Sequence, residues 1–88
     1  MKTWKMKAHW TDGRTGERVG NSFSHELTER HDLQTDDDAL DWCKSGLIAA
    51  NWGEGFDWYY LEGYCNWHLS VERDGQVHEL ELRGACLN

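Results

Sequence analysis

Asp74-Gly75 lies between two runs of alternating residues, and this pairing constrains the chain more than any other feature. The type I′ turn of two-residue hairpins needs positive φ at both central positions, which favours Asp-Gly. A two-residue turn here pairs Arg73 with Gln76. The same register sets Val71 opposite His78, Leu69 opposite Leu80 and Trp67 opposite Leu82 on one face. The other face receives Ser70 opposite Glu79 and His68 opposite Glu81. A slip of one residue would turn every apolar side chain to the wrong face, so the register is strongly specified.

A second hairpin is expected over residues 2–28. Trp4, Met6, Ala8 and Trp10 alternate with Thr3, Lys5, Lys7 and His9, the period of a strand with one buried and one wet face. Residues 11–17 hold Asp12, Gly13 and Gly16 and read as a turn. Val19, Phe23 and Leu27 then resume one face, with Ser22, Ser24 and Glu26 on the other.

Between the hairpins the period changes to that of a helix over 36–50. Thr35 and Asp38 have the spacing of a capping box, and Asp36, Asp37, Asp38 and Asp41 suit the positive end of a helix dipole. Leu40, Cys43, Leu47 and Ala50 recur at helical spacing, and Asn51-Trp52-Gly53-Glu54-Gly55 supplies a stop. The run 56–64 is rich in aromatics and predicts a short strand or lead-in to the last hairpin, bent at Gly63. The expected class is α+β: an antiparallel sheet in β-β-α-β-β order, with one helix packed on one face. At 88 residues the chain reads as a single domain, 1–88.

Charge and composition narrow the function classes. Sixteen acidic residues against nine basic ones leave a net charge of −7, which disfavours binding to a phosphate backbone. No apolar run approaches a membrane span, and Met1-Lys2-Thr3-Trp4-Lys5 opens no signal sequence. Three cysteines without a CxxC pair predict the reducing cytoplasm rather than a secreted disulfide framework. Six tryptophans separate the chain from disordered acidic tails, which are poor in aromatics.

Motifs for chemistry are thin. Cys65-x-x-His68 has ligand-like spacing, but residues three apart on a strand face opposite ways. Cys86 and His78, which share the inward face with Cys65, lie far apart along the strand, so no metal and no cofactor is expected. Ser24 and His25 are likewise adjacent on a strand and face apart, and the chain lacks G-x-S-x-G, HExxH and phosphate-loop motifs. The reading is therefore a protein that is not an enzyme. Asp36, Asp37 and Asp38 with Asp41 exceed what helix capping needs, without the spacing of a calcium loop.

The acid is concentrated. Residues 26–62 contain ten acidic residues against Arg30 and Lys44, a net −8, whereas residues 1–10 carry three lysines and no acid. Trp42, Trp52 and Trp58 fall inside the acidic block, and exposed aromatics beside charge are the composition of a protein-interface hot spot. The expected partner-binding residues are Asp36, Asp37, Asp38, Asp41, Trp42, Trp52, Glu54, Asp57 and Trp58. They would dock on a basic partner protein, such as a nucleic-acid-handling effector. In size and charge alone the chain resembles the inhibitors carried by phages and mobile elements, including anti-CRISPR and anti-restriction proteins. That likeness assigns no role to any residue. Two other readings are a homo-oligomeric module, down to a homodimer, and weak single-stranded nucleic-acid binding through Lys5, Lys7 and His9.

Overall fold

The two hairpins join side by side as one four-stranded antiparallel sheet. The computed structural model describes residues 3–28 and 33–87. Its elements are β1 (Thr3–Asp12), β2 (Arg18–Thr28), α1 (Asp36–Ala50), α2 (Trp58–Tyr64), β3 (Cys65–Arg73) and β4 (Gln76–Leu82). The strand order is β2-β1-β3-β4, so the first strand of each hairpin is central and the second is an edge. Pairing of β3 with β4 follows the expected register throughout, from Arg73↔Gln76 to Trp67↔Leu82. Asp74 and Gly75 both adopt positive φ (52° and 83°), as the tight turn requires.

The central pair builds the core. Met6↔Val71, Ala8↔Leu69 and Trp10↔Trp67 stand opposite one another, and all six are buried. α1 crosses this face and contributes Ala39, Leu40, Cys43 and Leu47. Its capping box is formed: the Asp38 N–H donates to Thr35 Oγ1, and the Thr35 N–H donates to the Asp38 carboxylate. Between Ala8↔Phe23 and Trp10↔Val19 the first hairpin bulges, with residues 20–22 facing His9 alone and Gly20 at φ 68°.

Two expectations are corrected. Residues 58–64 form α2 rather than a strand, so the order is β-β-α-α-β-β, within the expected α+β class. Asp57 explains the change: its carboxylate accepts the Tyr59 N–H as an N-cap, a local bond that outcompetes the β preference of the aromatics. One turn on, Leu61 is fully buried, and Gly63 is buried within the last turn of α2. The second correction concerns the C-terminal tail. Cys86 does not share an inward strand face with Cys65, because β4 ends at Leu82 and Cys86 is exposed in a turn whose N–H donates to Gly63 O. β4 also lies beyond the cover of α1, leaving Leu80 exposed although its register is the expected one.

Candidate interaction surface

α1 is 15 residues long, about 22 Å at the helical rise, and it separates the expected contact residues into two groups. Asp36, Asp37, Asp38 and Asp41 lie at its N-terminal end. Trp52, Glu54, Asp57 and Trp58 lie beyond its C-terminal end, in the connector to α2 and in the start of α2. Trp42 sits between, half-buried on α1.

The acidic end is partly engaged within the fold. Asp38 completes the capping box. Asp36 pairs with Arg73 at 3.7 Å and lies 3.4 Å from His78, tying the helix start to the β3–β4 turn. Arg73 in turn covers the face of Trp4 at 5.0 Å. Asp37 and Asp41 are exposed, one turn apart on the helix.

The other end is aromatic. Asn51 closes α1 as a buried polar residue: its Oδ1 accepts the Asn21 N–H at 2.7 Å, and its Nδ2 donates to Asn21 O and Leu47 O at 2.9 Å. This clamp ties the helix end to the bulge of β2. Gly53 and Gly55, both at positive φ, then turn the connector outward. Trp52 is left 76% exposed at the tip, with Tyr59 at 67%. Phe56 and Trp58 pack edge-on against buried Trp10, each with ring centroids 6.4 Å away, so this corner rests on the core. A shallow cleft of about 330 Å³ runs between Trp52, Phe56 and Trp58. Glu54 and Asp57, both exposed, adjoin its lining residues in the chain. The Tyr59 hydroxyl is pushed up by its neighbour Tyr64, whose ring meets Arg14 at 5.5 Å.

Sequence reasoning missed three features. Tyr59 is exposed because α2 turns it outward, which a strand reading of 56–64 does not predict. A groove of about 440 Å³ opens between α1 and β2, with Phe23 and Trp42 among its lining. On the uncovered face of the sheet, His9 and His68 stack at 4.6 Å, and His68 Nε2 lies 2.7 Å from Thr11 Oγ1. Burial, followed by the charge of Arg18 and then the neighbouring His68, lowers the pKa of His9. Period-two patterning had turned both histidines outward, but only the pairing of β1 with β3 brings them together.

That uncovered face carries Lys5, Lys7 and His9 with Glu72, Glu79 and Glu81 on neighbouring strands, and Lys5 pairs with Glu72 at 3.6 Å. Its strand positions hold no Phe, Trp or Tyr, since the tryptophans of β1 and β3 point to the helix side. Cys65 is buried on the core side and His68 is on the opposite face, so the Cys-x-x-His spacing converges on nothing. No group of three or more metal-ligating side chains comes together among the described residues. No helix among them is long and apolar enough to cross a membrane. Neither a protein-family model, nor a curated protein, nor a solved structure matches the chain.

Proposed function

We propose that this is a small acidic, non-enzymatic binding protein that docks its Trp52 corner on a basic surface of a partner protein. The carrying observation is the 76% exposure of Trp52, which shares a cleft with the exposed Trp58 on a connector bearing Glu54 and Asp57. Leaving a tryptophan in water forgoes about 2 kcal/mol of burial. Trp52 is not a lone exposed ring but adjoins exposed Trp58 across one cleft, as interaction patches do. Large rigid aromatics dominate interface energetics, and surrounding carboxylates steer a basic partner and raise its association rate. A surface of this charge competes with phosphate for basic grooves, so a nucleic-acid-handling protein of the cytoplasm is the partner class that fits. Inhibitors from phages and mobile elements work in this manner. The buried thiols Cys43 and Cys65 suit a reducing compartment.

The test places a photo-crosslinking residue at Glu54, exposed two residues from Trp52, and captures partners from host extract at increasing salt. The expected product is a basic protein whose capture weakens with salt and falls at least tenfold in Trp52→Ala. Capture unchanged by Trp52→Ala, or crosslinking only to a second copy of the chain, would overturn the reading.

A further inference from the structure

The outer edge of β2 carries a second surface, independent of the Trp52 corner. α1 packs across β1, β3 and the near side of β2 but leaves Phe23 and Leu27 only half-buried. The groove between helix and strand is lined by Phe23, His25, Asp41, Trp42, Ser45 and Gly46. Gly46 shapes its floor, because the Phe23 ring occupies the space a side chain there would need. Phe23 and His25 present their rings nearly parallel, 6.1 Å apart. Residues 23–28 pair regularly with β1 on one side, and no strand among the described residues pairs with the other.

We propose that this edge seats an extended, basic segment of a partner protein, which adds as a fifth strand beside β2 and lowers one apolar side chain into the groove. Strand spacing of about 4.8 Å puts the helix-side residues of an added strand directly over the opening. The charge of the wall selects its occupant. Asp41 lines the groove, Asp37 and Asp38 stand one turn before it on the same side of α1, and no Lys or Arg lines it. Lysine or arginine at helix-side positions flanking the apolar residue therefore meets carboxylates. A second copy of this chain fits poorly, since each copy carries −7 and β4, its other edge, presents Glu79 and Glu81. The bulge at residues 20–22 limits regular pairing to 23–28, so the seat takes about six residues.

The probe is the capped peptide Thr-Lys-Thr-Leu-Thr-Lys-Thr, with its Glu-for-Lys counterpart as control. Amide exchange and NMR shifts on the intact protein are the readouts. The lysine peptide is expected to slow exchange at residues 23–28 and shift the Phe23 and Gly46 signals, leaving β4 unchanged. Binding should fall about tenfold in Asp37→Asn/Asp41→Asn, two exposed positions whose loss leaves the fold intact by thermal melting. Trp52→Ala should bind the peptide as wild type does, which separates this surface from the corner. Absence of protection, equal protection by the glutamate peptide or protection at β4 would overturn the proposal. So would concentration-dependent protection of 23–28 without peptide, which marks self-pairing.

Discussion

At the scale of single residues, this fold depends on a few polar groups placed where water is excluded. Asn51 is the clearest case, with three hydrogen bonds to backbone groups of Asn21 and Leu47. Replacing it by leucine keeps the volume but strands those partners, and each unsatisfied buried group costs about 1–3 kcal/mol. Asn51→Leu should therefore lose about 2–3 kcal/mol in urea unfolding, whereas Asn21→Ala, which removes only the exposed bond to Ala50 O, should lose under about 1 kcal/mol. The core tryptophans show the opposite economy. Trp4 and Trp10 bury their indole N–H groups without an acceptor, so their ring area has to outweigh that penalty. The expected site residues divide at this scale too: Asp36, Asp38 and Asp57 hold the fold together, while Asp37, Asp41 and Glu54 face solvent.

Elements meet through close approaches that composition does not announce. Gly46 lies in the interior of α1, where alanine normally gains about 1 kcal/mol. Here an added Cβ would lie 2.5 Å from the Phe23 ring. Gly46→Ala is expected to destabilise by about 1–2 kcal/mol as the ring is displaced. In a Phe23→Leu background the same substitution should become stabilising, and chemical denaturation of the four proteins measures the sign change. The helix boundaries were legible because a capping box is a local device: Thr35 and Asp38 bond to backbone a few residues away. α2 was not, because its aromatics favour strands in isolation, and only the Asp57 cap together with burial of Leu61 selects the helical turn.

For the whole molecule, acid and base act on the fold from opposite sides. His9 titrates lower in the fold than when unfolded, so its contribution is complete above its ordinary value near 6.5 and is lost as pH falls. Asp12 is also held low, first by the Tyr60 hydroxyl at 2.5 Å, and so loses its contribution in stronger acid. Burial pushes the Cys43 thiol up to about 11 from 9.0, and that contribution is lost as pH rises through 9 to 11. Thermal melting should accordingly peak between these limits. His9→Gln should flatten the decline between pH 7 and pH 5, and Cys43→Ala the decline between pH 9 and pH 11. A His9→Gln profile parallel to wild type on the acid side would show that the stacked pair does not contribute.

The sequence by itself determined whatever rests on local periodicity and turn chemistry. The Asp74-Gly75 register, the buried face of β1, the limits of α1 and the crowding of acid into residues 26–62 each depend on neighbours a few positions away. The tertiary structure alone decided how those parts share space. It set β1 against β3, stacking His9 on His68. It opened the groove beside β2, and it placed the expected contact residues at opposite ends of a helix about 22 Å long. The reason is physical: a strand's pattern states which face is buried, whereas its choice of neighbour depends on how the combined apolar faces close over one core.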